Sequence, residues 1–195
     1  MTPRIRRLLK FLRLFGLLLA GALAIVGGLK MSQLLPPHSS DCIEVCNPCD
    51  ALDPAWIAFV GRTEGLAGHG LVLLGHGFAD SAITWEESWG IYPEYSWGVL
   101  KTVPSYLVEE DPREPSPYPT TQQLIVRIDA AQYTQIHHTI DTWTDQHRFH
   151  IGNSDCISLL QALATQLDLQ QPSRVLHPMP ENWVRALVIA NAPNN

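Results

Sequence analysis

A cysteine late in the chain stands where a nucleophilic thiol would be expected. Cys156 follows Asn153, Ser154 and Asp155, each a favoured N-cap residue, and it opens the stretch CISLLQALATQL, whose leucines recur at helical spacing. This pattern predicts a helix that begins at Cys156. The free backbone N–H groups and the dipole of a helix N-terminus favour the thiolate, the form that attacks carbonyl carbons. Two other fates stay open for Cys156: a small buried side chain or a disulfide partner.

A thiol nucleophile needs a general base, and His69 is the best placed of the eight histidines. It opens the apolar stretch HGLVLLG between Gly68 and Gly70, where the missing side chains would let another group approach the imidazole. A histidine at the start of a strand that faces the start of a helix can form a Cys–His pair. His76 fits an exposed turn and His137 lies on a predicted helix, so both fit solvated positions.

The three remaining cysteines lie together in CIEVCNPC, residues 42–49. Cys46 and Cys49 form a C-x-x-C pair that can close a small disulfide, which leaves Cys42 for an intermolecular bond or a bridge to the domain. A metal site would need a fourth ligand that this segment lacks. A redox site would place the pair at the start of a helix rather than in a proline-containing segment. We therefore predict no metal and no cofactor.

Several apolar stretches rich in β-branched and aromatic residues predict the strands that carry these groups. The strands are 56–62, 69–75, 82–93, 121–129 and a shorter one within 147–152. Asp129 can cap a helix over 130–146. Residues 101–120 contain five prolines, so we predict a surface loop there, which could act as a lid. Strands with two helices, the second beginning at Cys156, predict an α+β fold.

The first thirty residues differ from the rest of the chain. They contain six of the 13 Lys and Arg residues, no acidic residue and an apolar run from Leu14 to Leu29. We predict a transmembrane anchor over 1–30, or alternatively a cleaved signal segment, then a Cys- and Pro-containing tether over 31–52 and one domain over 53–195. The basic cluster predicts a single-pass membrane protein with its domain on the periplasmic or other extracytoplasmic side, or a secreted domain if the segment is cleaved.

Charge excludes one class of partner for this domain. Beyond residue 30 the chain keeps seven basic residues against all 19 acidic ones, a formal charge of −12. A domain this acidic is repelled by the phosphates of DNA and RNA. We therefore predict no nucleic-acid partner, and contact with the membrane through the N-terminal segment alone.

Three motifs together resemble one known superfamily. GHGLVLLG, then ESWGIYPE, and after a long interval FHIGNSDCISLLQAL are similar to the permuted branch of the NlpC-type papain-like superfamily, which includes lecithin:retinol acyltransferase. The resemblance covers residues 55–168. It implies a circularly permuted papain-like fold, in which an antiparallel sheet packs against the helix that bears the nucleophile. It also implies that Cys156 is the nucleophile and His69 the base, because in this branch the histidine strand precedes the cysteine helix.

The resemblance also implies a polar group on the next strand that orients the imidazole. Glu86 and Ser88 share one face of that strand and are the candidates, with Glu87 on the opposite face. The branch often has asparagine directly before the cysteine, where this chain has Asp155. A carboxylate beside the thiol would raise the pKa of Cys156. The backbone N–H of Cys156 is the expected oxyanion donor.

Aromatic side chains crowd the same region of the chain. They are Trp85, Trp89, Tyr92, Tyr95 and Trp97. Such a cluster lines a substrate groove if it is exposed and fills the core if it is buried, and the sequence leaves both open.

These residues together predict a thiol-dependent hydrolase or acyltransferase of the cell envelope. It would act on an amide or an ester of a peptide, lipid or cell-wall substrate through the Cys–His pair, and the predicted location favours amide hydrolysis. The alternative is a non-catalytic envelope module that binds its ligand on a papain-like scaffold. A buried or disulfide-bonded Cys156 would favour this alternative.

Overall fold

A computed structural model describes residues 39–44, 54–64, 68–77, 83–94, 102–112, 117–146 and 148–192. All of them belong to one unit that begins at His38. Its strands are β1 (Ser39–Glu44), β2 (Ala55–Arg62), β3 (His69–His76), β4 (Thr84–Pro93), β5 (Val103–Glu110), β6 (Thr120–Ile128) and β7 (Arg148–Phe149). Its described helices are α1 (Ala130–Gln146), α2 (Cys156–Gln166) and α3 (Pro180–Asn191).

The strands form one mixed sheet in the order β1-β6-β2-β3-β4-β5-β7. Strand β1 runs parallel to β6, and every other neighbouring pair is antiparallel. Strands β2 to β5 are neighbours in the order of the chain, which is the arrangement that short connections allow. The predicted α+β class with an antiparallel sheet is therefore confirmed for β2 to β7.

Side-chain alternation gives the sheet two different faces. One face packs against the helices, and its core includes Phe59 of β2 and Val72 of β3 with Leu159 and Leu163 of α2. The other face carries a smaller apolar cluster built on Ala58, Val60 and Leu71. Strand β2 is buried along its whole length because both of its faces are covered, which explains its continuous apolar sequence.

The helices begin where the sequence supplies capping groups. Asp129 Oδ1 accepts the backbone N–H of Gln132 at 2.8 Å, and the Gln132 side chain accepts the backbone N–H of Asp129 at 2.9 Å. This reciprocal capping box fixes the start of α1 as predicted. Asp155 caps α2, with its side chain accepting the backbone N–H of Ser158.

The prediction of a loop over 101–120 is wrong for its first half, because residues 103–110 form strand β5. Prolines disfavour strands because they lack an N–H donor. Pro104, however, lies near the start of the strand, and its carbonyl accepts the backbone N–H of Glu94 at 2.9 Å. Pairing with β4 begins at the following residue, Ser105. The strand brings Glu110, which lies in the predicted loop, into the sheet.

The prediction of two helices is also wrong, because α3 is a third. Pro180 at its first turn and buried Trp183, Val184, Leu187 and Val188 supply a helix start and one apolar face. The predicted strand within 147–152 shrinks to β7, and a turn closed by a bridge between His150 and Ser154 follows it.

The predicted boundaries at the N-terminal side fall partly outside the described residues. Strand β1, at residues 39–44, lies inside the predicted 31–52 tether, so that part of the tether belongs to the sheet. The anchor or signal segment 1–30 and the Cys46–Cys49 disulfide lie outside the described residues. In the part of the chain that is described, none of the helices has the length and apolar content to cross a bilayer.

Removing the Trp183 side chain should destabilise the domain, because this indole is fully buried between α3 and the sheet and donates to the carbonyl of Pro172 at 3.3 Å. We expect Trp183→Ala to lower the free energy of unfolding by about 3–5 kcal/mol, measured by urea denaturation followed by circular dichroism. Val175→Ala is the control, since Val175 is 89 % exposed and its truncation should change the value by less than about 0.5 kcal/mol. Equal effects of the two substitutions would contradict this role of α3.

Candidate active site

The candidate nucleophile lies where the N-terminus of α2 meets the start of β3. Cys156 is the first residue of α2, is a free thiol and is buried. The backbone amides of Ile157, in its own helix, and of Gly70, in β3, interact with its thiol and favour the thiolate, which lowers the pKa of Cys156. The predicted cysteine helix and histidine strand therefore meet at this sulfur.

Gly70 allows this approach because it has no side chain. A Cβ on Gly70 would lie 2.9 Å from Leu160 Cδ1 of α2 and 3.3 Å from Pro180 Cβ of α3. A larger residue would push both helices away from β3 and lift the thiol off the Gly70 amide. The sequence suggested that this glycine makes room beside the imidazole, whereas in the structure it makes room for the helices.

His69 lies one residue away from this contact but on the other face of the sheet. Val72 packs in the helix-side core and Leu71 in the cluster of the opposite face, so alternation places the side chain of His69 with that of Leu71. Among the contacts of the described residues, no hydrogen bond joins the Cys156 thiol to the imidazole. The structure brings the backbone of the histidine strand to the sulfur, with the ring turned away.

The imidazole of His69 is held in a tight aromatic contact. Its ring stacks on Tyr92 of β4 with centroids 4.2 Å apart, and the side chain is only 6 % exposed. Nε2 is buried and has no hydrogen-bond partner. A Cβ on Gly90 would lie 2.7 Å from Nε2, so the ring occupies the space that this glycine leaves open.

Among the described hydrogen bonds, none joins the imidazole to either residue that was expected to orient it. Glu86 is exposed, and its Oε2 lies 3.2 Å from Nδ1 of His76 instead. Ser88 is buried on β4, in register with Leu73 and Glu110. The ring that stacks on His69 is Tyr92. It is one of the aromatic residues for which the sequence left open a place in a substrate groove or in the core.

Tyr92 belongs to a charged cluster that the sequence analysis missed. Its hydroxyl donates to Glu110 Oε1 at 2.5 Å and accepts from Arg62 Nη2 at 2.6 Å. Arg62 also donates to both carboxylate oxygens of Glu110, at 2.8 and 2.9 Å, and to Glu64 at 3.0 Å. The only signal in the sequence was position, because Arg62 ends one predicted strand as His69 begins the next.

The electrostatics of this cluster keep each group in one charge state. Burial alone would lower the pKa of Arg62 and raise that of Glu110, but their mutual hydrogen bonds reverse both directions. Burial and the hydrogen bond to Glu110 raise the pKa of Tyr92. Near neutral pH the cluster therefore holds a guanidinium, a carboxylate and a neutral phenol.

The same surroundings disfavour charge on both candidate catalytic groups. Burial, and next the positive charge of Arg62, lower the pKa of His69 to about 4, against the opposing effect of Glu110. Burial, and next the Asp155 carboxylate, raise the pKa of Cys156 to about 12. The amides of Gly70 and Ile157 and the charge of Arg174 offset only part of that rise. The amide of the first helical turn therefore favours the thiolate, as expected, but burial and the Asp155 carboxylate outweigh it in this geometry.

Asp155 connects the segments around the thiol. Its Oδ1 accepts the backbone N–H and the hydroxyl of Ser158, both at 3.0 Å, and its Oδ2 accepts the backbone N–H of Gly152 at 2.8 Å. Arg174, from the segment between α2 and α3, donates to the same Oδ2 and to the Ser158 hydroxyl. One carboxylate thus caps α2 and ties it to the turn before it and to the segment after it.

Replacing Asp155 by asparagine should make Cys156 more acidic. Asparagine keeps an oxygen that can cap α2 but removes the negative charge beside the thiol, so we expect Cys156 to be alkylated by iodoacetamide about tenfold faster or more at pH 8. Mass spectrometry of the Cys156 peptide measures this rate separately from the other cysteines. Asp141→Asn, at an exposed position of α1, is the control. An unchanged rate in Asp155→Asn would rule out Asp155 as a cause of the high pKa.

Acid should destabilise the domain through His69. Its folded pKa of about 4 lies below the ordinary value of 6.5, so the unfolded chain binds this proton first as the pH falls. Stability that is complete above pH 6.5 is then lost toward pH 4, by up to about 3 kcal/mol from this group. We expect His69→Gln to reduce this pH dependence in urea denaturation, whereas His138→Gln, at an exposed position, leaves it unchanged. The same slope in both variants would refute the assignment.

Comparison with protein-family models, with curated proteins and with solved structures found no match. The function proposed below therefore depends on the geometry of Cys156, His69 and their neighbours, together with the motif resemblance in the sequence.

Proposed function

We propose that this protein is a thiol-dependent hydrolase or acyltransferase, with Cys156 as nucleophile and His69 as general base. The observation that carries the proposal is the convergence at Cys156 Sγ. There the first turn of a helix and the first residues of the histidine strand meet through the amides of Ile157 and Gly70. Chain order supports it further, because the histidine strand precedes the cysteine helix, as in the permuted papain-like branch. We propose that permuted fold for the domain.

The reaction would proceed through a thioester on Cys156. Sγ gives its proton to a ring nitrogen of His69 and its electron pair to the carbonyl carbon, so that an S–C bond forms. The C–N bond of an amide, or the C–O bond of an ester, breaks as the leaving amine or alcohol takes that proton. Water, or an acceptor hydroxyl or amine, then gives a proton to His69 as it attacks the thioester carbon. The S–C bond breaks, and the sulfur takes that proton from His69, which restores the thiol.

The resting groups fit general-base catalysis rather than a preformed thiolate–imidazolium pair. Burial lowers the pKa of His69 and raises the pKa of Cys156, so proton transfer from the thiol to the imidazole is strongly unfavourable in this geometry. The imidazole is neutral near pH 7, as a base must be. Its buried Nε2 has no hydrogen-bond partner, so this nitrogen is available for proton transfer.

Catalysis then requires the first residues of β3 to rearrange, so that the His69 side chain passes from the Tyr92 face of the sheet to the face of the thiol. Rotation about the side-chain bonds alone cannot do this, because the backbone sets the face on which a side chain lies. We propose that substrate binding opens this end of the sheet. Catalytic contacts often form only in the substrate complex, and an apo geometry without the Cys–His hydrogen bond is compatible with this mechanism.

The proposed substrate is an amide or ester of a peptide, lipid or cell-wall component, with amide hydrolysis favoured. This choice follows from the proposed location, a single-pass membrane protein with its domain on the extracytoplasmic side or a secreted form of that domain. The location in turn depends on the basic and apolar residues of 1–30. The acidity of the remaining chain argues against a nucleic-acid substrate.

Burial of the thiol favours a second candidate function, a non-catalytic binding module on the same scaffold. Cys156 is only 8 % exposed, and its pKa is raised by its surroundings. In such a module Cys156 would act as a small core residue, as buried cysteines commonly do. The two candidates differ in one measurable respect, which is whether Cys156 ever forms a covalent bond to an acyl group.

Acyl transfer to Cys156 tests the proposal directly. The full-length protein is incubated with p-nitrophenyl acetate, and peptide mass spectrometry locates the acetyl group. We expect acetylation at Cys156, none at that position in Cys156→Ala, and a rate lower by about 10²–10⁴-fold in His69→Gln, because the base contributes that range to proton transfer. Tyr106→Phe, on an exposed ring of β5, is the control for nonspecific effects.

Three results would overturn the enzyme proposal. These are an unmodified Cys156, an acetylation rate that does not depend on His69, or p-nitrophenol release that survives in Cys156→Ala. Equal binding of wild type and Cys156→Ala to isolated cell-wall sacculi, together with an unmodified Cys156, would instead favour the binding module.

A further inference from the structure

The cluster of Arg62, Tyr92 and Glu110 has no role in the mechanism above. These residues come from the ends of three different strands, β2, β4 and β5, and they share four hydrogen bonds of 2.5 to 2.9 Å. Arg62 is 7 % exposed, so its charge is largely withdrawn from water. Burying such an arrangement is costly, and replacing it with apolar residues is often neutral or stabilising for a fold. Stability alone therefore gives no reason for its presence.

The cluster meets the His69 imidazole in two ways. Arg62 is the direct cross-strand partner of His69 in the β2–β3 register. Tyr92 lies under the imidazole, with the two ring planes inclined by 26°. The Tyr92 hydroxyl, at the far end of that ring, is held by both Arg62 and Glu110. The position of the Tyr92 ring, and with it the surface on which His69 rests, is therefore set by the ion pair.

We propose that Arg62, Tyr92 and Glu110 form a brace that holds the imidazole of His69 in its resting position on Tyr92, from which the ring must move for the proposed reaction. Tyr92 is the platform for the ring, Glu110 fixes the Tyr92 hydroxyl, and Arg62 fixes Glu110 through both carboxylate oxygens. All three are positioning residues that act through His69. The proposal rests on the proposed function for its catalytic meaning, although the effect of the brace on His69 is measurable without any substrate.

The two charges of the brace act on His69 with opposite signs. Arg62 disfavours the imidazolium and Glu110 favours it. Among the described residues, Glu64, just after β2, is a further charged group at the cluster and accepts from Arg62. Loss of the Arg62 charge should therefore make His69 easier to protonate, and loss of the Glu110 charge should make it harder. Simple loosening of the site would instead move both variants in one direction, toward the ordinary pKa of an exposed histidine.

The test is an NMR titration of the histidine rings in the full-length protein, with the His69 signal assigned from His69→Gln. We expect the His69 midpoint to rise from about 4 toward 6.5 in Arg62→Met. Arg62→Lys, which keeps the charge, should restore most of the low midpoint. In Glu110→Gln the ring should stay neutral down to the lowest pH at which the chain remains folded. Tyr92→Leu, which removes the platform, should abolish the ring-current shift of the His69 signals, and Tyr92→Phe should keep it.

Glu87→Gln is the matched control, because Glu87 is a carboxylate of the neighbouring strand β4 that accepts from an aromatic side chain, Trp89 Nε1, at 2.7 Å. It should leave the His69 midpoint unchanged. A rise in both Arg62→Met and Glu110→Gln, or no change in either, would overturn the brace.

The acetylation assay separates this inference from the proposed function. If His69 titrates as expected but Cys156 is never acetylated, the enzyme proposal fails and the brace stands. If Cys156 is acetylated at wild-type rate in Arg62→Met and Tyr92→Leu, the brace fails as a positioning device while the enzyme proposal stands.

Discussion

The architecture of this site depends on one close approach between backbone and helix, at Gly70. Because a hydrogen atom stands where other residues carry a Cβ, Leu160 of α2 and Pro180 of α3 both come against β3. That contact places the first turn of α2 close enough to β3 for the Cys156 thiol to interact with the Gly70 amide. The positions of the thiol, the cap at Asp155 and the segment held by Arg174 all follow from where α2 begins.

The two faces of the sheet then separate two kinds of chemistry. On the helix side the thiol sits in an apolar core, where burial keeps it protonated. On the other face the imidazole sits against a buried ion pair, where burial and the Arg62 charge keep it neutral. Only the thickness of strand β3 lies between the two environments. If Cys156 and His69 form a catalytic pair at this end of β3, both side chains are neutral before they meet. The His69 ring must then leave the Tyr92 ring, on which it stacks.

The sequence predicted the elements whose physics is local. Strands β2, β3, β4 and β6 and the starts of α1 and α2 follow from apolar runs and capping residues, which act over a few positions. Strand β5 could not be predicted in this way. Pro104 and the acidic residues after it disfavour a strand locally, and only the pairing with β4 compensates for this. Helix α3 carried a readable signal in Pro180 and the spacing of its apolar residues.

The same limit applies to the site. Cys156 and His69 are marked by local context, a helix start and a glycine-flanked strand start. The neighbours of His69 are not marked by local context. They depend on the register between strands and on residues 103–110, for which the sequence predicted a loop. Alternation alone places Glu86 and Ser88 on one face of β4 and Glu87 on the other. A bulge where Leu74 is followed by Gly75 shifts the β3–β4 pairing, and the Glu86 side chain contacts the His76 ring instead. Glu110 could enter the site only once residues 103–110 were known to be a strand.

Asp155 shows how stability and reactivity compete at a single position. As an N-cap it accepts the Ser158 amide and secures the helix that carries the thiol, a contribution of about 1 kcal/mol for such caps. As a carboxylate next to Cys156 it opposes formation of the thiolate. Arg174 offsets part of that opposition, since its guanidinium binds the same carboxylate and lowers the pKa of the thiol. The segment between α2 and α3 therefore belongs to the site electrostatically, because any movement that withdraws Arg174 leaves the thiol beside an uncompensated negative charge.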